Sequence, residues 1–222
     1  MTIEYSKELT QGDEWWLLAR TGILTASETK HIIRPTLKVA DNDKARGHLY
    51  ELASQRVTGY VEPSYISDDM LRGQGDEIHA RAKCIEKYEP VEQCGFITND
   101  EWGFTLGYSP DGLTDKGQIE IKSRKQKYQL KTINEEKVPE DYVIQVQTGL
   151  LVSRREYCDF ISYCGGMKMF VLRVYPDDVI QKAIIAAATS FHEKLEREIK
   201  DYGVKSQPFF PTERVIEQDI TI

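Results

Sequence analysis

The sequence predicts an α/β or α+β fold in which a central mixed β-sheet is flanked by helices. Three observations predict it. Up to about Tyr88 the apolar residues recur at helical spacing, whereas after Pro90 they alternate in short runs typical of strands. A helix, two more strands and a long final helix then follow, an order that suits a layered sandwich and not a helical bundle. Finally, 222 residues with 40% hydrophobic and 29% charged side chains are enough to build one sizeable core.

Taken in order, Gly12 to Ala19 reads as a short helix capped by Asp13, with Trp15, Trp16, Leu17 and Leu18 supplying an apolar face. Arg20-Thr21-Gly22 breaks it. Thr25-Ala26-Ser27-Glu28 has the form of a capping box and opens a helix through about Ile33. A helix N-terminus flanked by Arg20 and hydroxyls would attract a phosphate, although the local sequence by itself favours Thr25 and Ser27 serving as caps alone. Lys44 to Val57 and Asp68 to Tyr88 read as longer amphipathic helices. Within the second, Gly73 and Gly75 lack the third glycine and preceding strand of a dinucleotide loop. Glu77 is either a solvated acid or one directed at a nearby site, and His79 reads as structural.

Strands are predicted over Gln93 to Thr98 and Gly103 to Tyr108. Pro139 to Ser153 is helical, with Tyr142, Val146 and Leu150 on one face and Gln145 and Gln147 at its middle. Tyr157 to Tyr163 and Met169 to Tyr175, rich in β-branched and aromatic residues, are strands separated by Gly165-Gly166. Asp177 to Lys200 closes with a long helix. Residues 202–222, with Pro208 and Pro211, read as an extended tail of a single domain spanning 1–222.

The chemistry concentrates in Gly107 to Ser123, GYSPDGLTDKGQIEIKS. Two antiparallel strands joined by the turn Thr114 to Gly117 put Glu120 and Lys122 on one face and Ile119 and Ile121 on the other. The turn lets Asp111 approach Glu120, so two carboxylates and a lysine can converge. Hard oxygen ligands of this kind suit Mg²⁺ or Mn²⁺. Taken alone, a Glu-x-Lys in a hairpin is also what a solvated strand looks like.

A net charge of −7 opposes nucleic-acid binding, yet Lys122 to Lys131 carries five basic residues and no acid, enough to track a phosphate backbone beside the site. Cys84, Cys94, Cys158 and Cys164 form no C-x-x-C pair and read as reduced thiols. No apolar run approaches a membrane span, and the polar start lacks a signal-peptide core, so a cytoplasmic setting without a membrane is expected.

Pro110-Asp111 followed by Glu120-Ile121-Lys122 resembles the signature of the PD-(D/E)XK nuclease superfamily. That resemblance implies a restriction-endonuclease-like core and a metal-dependent phosphodiesterase. Four blocks narrow it: GDEWWLLARTGILTASE, RGQGDEIHAR, GYSPDGL with IEIKS, and YVIQVQTGLLV. In order and spacing they resemble the phage lambda exonuclease, or YqaJ-type viral recombinase, family over roughly residues 11–175. The likeness implies that Asp111, Glu120 and the Ile121 carbonyl hold Mg²⁺, as two ions for which Mn²⁺ can substitute. Lys122 would be the catalytic lysine, with Glu77 and Gln145 completing the set. Arg20 and Ser27 match 5′-phosphate-binding positions, and Trp16 an aromatic beside that pocket.

Members of the family are processive 5′→3′ exonucleases that act on double-stranded DNA ends and leave a 3′ overhang. They form toroidal homotrimers and work with a single-strand annealing protein in recombination. The chain departs from the lambda pattern around Pro35 to Asp43 and after Lys122. A site-specific endonuclease of the same superfamily, or a non-catalytic DNA-binding module, would share most of these residues.

Overall fold

A computed structural model describes residues 2–63, 67–87 and 90–214. The chain runs through β1 (Ile3–Ser6), α1 (Glu14–Arg20), β2 (Leu24–Thr25), a 3₁₀ turn (Thr29–His31), α2 (Asp43–Thr58) and α3 (Asp68–Lys87). It continues through β3 (Phe96–Asn99), β4 (Leu106–Tyr108), β5 (Gly112–Leu113), β6 (Gly117–Ser123), α4 (Gln126–Glu135) and α5 (Glu140–Ser153), then β7 (Tyr157–Tyr163), β8 (Phe170–Val174) and α6 (Asp178–Lys205).

The expected mixed sheet is divided into two four-stranded sheets, each of mixed orientation. One has the order β1-β3-β4-β2, with only its β2–β4 pairing parallel, and the other has the order β5-β6-β7-β8, with only β6–β7 parallel. The chain crosses from the first sheet to the second through residues 109–111. Helix α5 packs against β3, β4, β7 and α6, which explains why it is apolar on nearly every side. Its Ile144, Leu151 and Val152 join the core built on Leu24, Ile97 and Leu106, while Val146 and Leu150 pack with Cys158 and Phe160. Leu150 is 1% exposed, and burial of a leucine contributes about 1.5–3 kcal/mol. Gly149 permits the close approach, since a Cβ there would lie 2.8 Å from the Tyr108 ring and 2.9 Å from the Gln118 amide.

Several expectations are corrected. Thr25 does not open an α-helix: it is paired in β2 with Gly107 of β4. Strand pairing engages its backbone, and only the 3₁₀ turn follows. Its hydroxyl donates to the Glu28 carboxylate at 2.7 Å, so the S/T-x-x-E pair forms between side chains and does not cap a helix. Helix α1 is capped by Asp13 as expected, yet Trp15 is 68% exposed and Leu17 and Leu18 are also exposed. Its apolar residues do not form a buried face, and only Trp16 of the four is partly covered. Strand β1 was not anticipated. The segment after Lys122 includes helix α4, and α6 runs through Lys205, so residues 202–205 are helical and not tail. Tyr88 and residues 215–222 lie outside the described residues.

Among the described residues no helix is long and apolar enough to cross a membrane. All four cysteines are free and buried.

Candidate active site

Strand β5 pairs with β6 in the register Gly112↔Ile119 and Leu113↔Gln118. One step further along this register puts Asp111 opposite Glu120. Ile119 and Ile121 pack with Ala80 and Cys84 of α3 and Ile161 of β7, so the alternation of the strand leaves Glu120 and Lys122 on the other face. Asp111 Oδ2 accepts the Ile121 amide at 2.5 Å. Because a strand residue directs its N–H and C=O toward the same neighbour, the Ile121 carbonyl opens to the Asp111 side.

Glu120 is 1% exposed. Its Oε1 lies 2.5 Å from Lys122 Nζ and accepts from Gln145 Nε2 at 2.5 Å, while Oε2 accepts from the Tyr108 hydroxyl at 3.1 Å. Helix α3 contributes Glu77, which pairs with Arg81 one turn on. Arg81 in turn donates to the Asp111 backbone carbonyl at 2.8 Å. Asp111, Glu120, Lys122, Gln145 and Glu77 are therefore gathered from strand β6, the residue just before β5 and helices α3 and α5 around one hairpin.

The electrostatics of this group are those of crowded acids. Burial, and then the Glu120 charge, push the Asp111 carboxyl well above the usual carboxylate range. Burial also raises Glu77, with Arg81 opposing and Glu120 reinforcing the shift. Burial disfavours the charge on Lys122, but Glu120 and Asp111 more than offset it and hold the ammonium above an ordinary lysine. A divalent cation would reverse the logic by favouring ionised carboxylates.

Among the described residues no three His, Cys, Asp or Glu side chains are gathered tightly enough to hold an ion alone. Two carboxylates, the Ile121 carbonyl and water remain as donors. That oxygen-rich, partly hydrated set fits Mg²⁺, which is usually held through one or two carboxylates.

A second cluster adjoins the first. Arg20 stacks over Trp16, with its guanidinium 4.2 Å from the ring centroid, and donates to Ser109 Oγ at 3.1 Å and Thr25 Oγ1 at 3.4 Å. The Trp16 indole N–H reaches Ser109 Oγ and the Gly95 carbonyl, each at 3.0 Å. Ser27 Oγ lies 3.2 Å from Thr25 Oγ1. Arg20, Ser27 and Trp16 are thus brought together, with the Arg20 charge directed at hydroxyls and not at a carboxylate. Burial lowers the Arg20 pKa and Glu28 counters that shift. Such a cluster can bind an anion.

Ser109, Tyr108 and Arg81 were missed in the sequence. Tyr108 ends an apolar run and reads as core, and Ser109 is hidden inside the GYSPDGL block. Arg81 could have been found, because it stands four residues after Glu77 on one helix. The basic stretch after Lys122 is partly engaged internally. Arg124 donates to the Tyr142 hydroxyl at 2.9 Å and lies against the Tyr128 and Tyr142 rings, while Lys125 pairs with Asp69 at 2.9 Å.

The profile of the YqaJ-like viral recombinase domain matches residues 15–156. The chain belongs to this family. Among solved structures, this YqaJ-like chain is similar to an alkaline exonuclease, LHK-Exo, from Laribacter hongkongensis. They share 32% identity with a TM-score of 0.78, over 88% of this chain and 99% of that one. The same enzyme in complex with dAMP gives 34% identity and a TM-score of 0.77 over the same shares. A phage related exonuclease from Haemophilus somnus 129PT, 14% identical with a TM-score of 0.53 over 80% of this chain and 96% of that one, shares the fold. No curated protein matches significantly. The fold of this YqaJ-like chain is that of the PD-(D/E)XK-like exonucleases.

Proposed function

We propose that this chain is an Mg²⁺-dependent, processive 5′→3′ exonuclease that acts on double-stranded DNA ends and leaves a 3′ single-stranded overhang. One observation carries the proposal. Ser109, which accepts from Arg20 and Trp16, is two residues from Asp111, so an anion pocket and a carboxylate site lie within about 7 Å of chain. An enzyme that recognises a terminal phosphate and cuts beside it needs this proximity. The Laribacter hongkongensis relative supports the reading, being an alkaline exonuclease solved with dAMP, a mononucleotide of the kind that stepwise cleavage releases.

Each residue then has a role. Asp111, Glu120 and the Ile121 carbonyl would hold the metal, which when bound supplies charge neutralisation of the phosphate and a more acidic water. Lys122, held charged by Glu120, is placed to stabilise developing negative charge. Gln145 fixes Glu120 through its amide, and Glu77, tethered by Arg81, borders the reacting centre. Arg20, Ser27 and Ser109 would bind the 5′-phosphate, with Trp16 as the wall of that pocket.

From the family resemblance the reading includes a toroidal homotrimer threaded by DNA, which accounts for processivity. It also includes a single-strand annealing protein as partner and action in the cytoplasm. Linear and covalently closed circular duplexes incubated with Mg²⁺ or with EDTA test the proposal. Nucleotide release from linear DNA only, and only with Mg²⁺, is expected. Cutting of the closed circle would instead indicate an endonuclease, and binding without release a non-catalytic module.

A further inference from the structure

Behind the anion pocket, the contacts that fix Thr25 lead to a buried histidine. Thr25 Oγ1 receives Arg20 on one side and donates to Glu28 Oε2 on the other. The same Glu28 oxygen lies 3.7 Å from Nε2 of His48, a residue of α2 that is 5% exposed. His48 stacks on Phe191 of α6, with ring centroids 5.8 Å apart, and its Nδ1 lies 3.1 Å from Glu51 Oε2. A carboxylate accepts and does not donate, so Nδ1 carries the proton in the neutral ring. That leaves Nε2 as a buried atom without a hydrogen-bond partner, 3.7 Å from a second carboxylate. Such an arrangement is unfavourable until Nε2 is protonated, whereupon it becomes a donor aimed at Glu28.

Placing an acid one hydroxyl away from a phosphate-binding arginine opposes the ligand. A terminal phosphate monoester carries roughly −1.5 to −2 charges near pH 7, and Glu28 repels it unless its own charge is offset. We propose that His48 is a positioning residue that sets the charge of this pocket through Glu28, so that seating a 5′-phosphate draws a proton from solvent onto His48 Nε2. The proposal rests on reading the Arg20 cluster as a 5′-phosphate site. Besides Glu28, His48 is faced by Glu51 on its own helix and by His31 on the 3₁₀ turn, whose ring centroid is 5.8 Å away, and Lys30 and Lys44 act on that neighbouring ring. Burial first, and then His48, push the His31 pKa down. From α6 His48 is met by the uncharged Phe191. Protonation of His48 would make the pocket more positive, and the preference for a phosphorylated end is therefore expected to rise as pH falls.

Fluorescence anisotropy in EDTA, with blunt duplexes bearing a 5′-phosphate or a 5′-hydroxyl, measures this preference without catalysis. Between pH 8.5 and 6.5 the affinity ratio of the wild type is expected to rise about five- to tenfold, a typical coupling between linked sites. The second ionisation of the monoester, near pH 6, acts in the opposite sense. His48→Gln should hold the ratio low and flat, and Glu28→Gln should hold it high and flat. A ratio that rises equally in the wild type and in His48→Gln, or that does not change with pH in the wild type, overturns the role of His48 and leaves the pocket standing. Absence of any preference for phosphate at any pH removes both. Should His48→Gln fail to fold, Glu28→Gln decides alone, since that side chain is 30% exposed; a wild-type pH dependence in it overturns the proposal.

Discussion

Lys122 Nζ and Glu120 Oε1 lie 2.5 Å apart, and the same carboxylate oxygen accepts from Gln145. The pair is largely enclosed, with the lysine side chain 21% exposed and the glutamate 2%. Removing one member of a buried ion pair leaves the other charge without compensation. Lys122→Ala is therefore expected to remain folded at 25 °C but to lose about 3–5 kcal/mol in denaturant unfolding. Nucleotide release should fall by at least about a hundredfold. Wild-type rates in this variant would remove the lysine from the chemistry.

The crowded acids give the metal-free protein a distinctive pH dependence. Asp111 and Glu77 both have folded-state pKa values raised by burial. The native state therefore binds more protons than the unfolded chain once pH passes the ordinary carboxyl value of about 4. Their contribution to stability is fully present below that value and is lost as pH rises toward the raised pKa values. Lys122, also raised, contributes a stability that persists until pH exceeds the ordinary lysine range, and so does not alter this window. Melting temperatures in EDTA should fall from pH 5 toward pH 8, with a smaller fall in Asp111→Asn. Millimolar Mg²⁺ should selectively restore the wild type.

Ser109 joins the two clusters, and its loss separates their effects. Ser109→Ala deprives Arg20 of an acceptor while the Trp16 indole keeps the Gly95 carbonyl. Hydrogen bonds to charged groups contribute about 1.5–3 kcal/mol, so kcat/KM on 5′-phosphorylated ends should drop roughly tenfold or more. The rate on 5′-hydroxyl ends should change far less. Equal losses on both substrates would argue that Ser109 acts on the chemistry and not on end recognition.

Gly149→Ala tests how tightly α5 is seated. The added methyl would meet the Tyr108 ring at 2.8 Å, and Tyr108 holds Glu120 through its hydroxyl. Overpacking of this kind costs about 1–3 kcal/mol. Both unfolding stability and cleavage should decline together. A stable variant with full activity would show that α5 can shift without moving Glu120.

How much of this was legible in the sequence depended on the range of the interaction. The hairpin with Glu120 and Lys122 on one face follows from the two-residue period of a strand, and α2, α3, α5 and α6 follow from apolar spacing. Thr25 was misread because its local S/T-x-x-E pattern predicts a helix, whereas pairing with Gly107, far away in the chain, captures it in a sheet. Ser109 acquires its role only through Trp16 and Arg20, far away in the chain, and Tyr108 only once the hairpin folds Glu120 back onto it. Trp15, Leu17 and Leu18 look like a core face because hydrophobicity in sequence does not reveal what lies opposite.

Central to the account is a divalent ion held by Asp111 and Glu120 beside Lys122. Titration of Mn²⁺ into the protein, followed by the electron paramagnetic resonance signal of the free aquo ion, tests it most directly. The wild type should take up ion with a defined stoichiometry, competed by Mg²⁺, and both Asp111→Asn and Glu120→Gln should abolish that uptake while remaining folded. Unchanged Mn²⁺ uptake in the two variants would contradict the assignment.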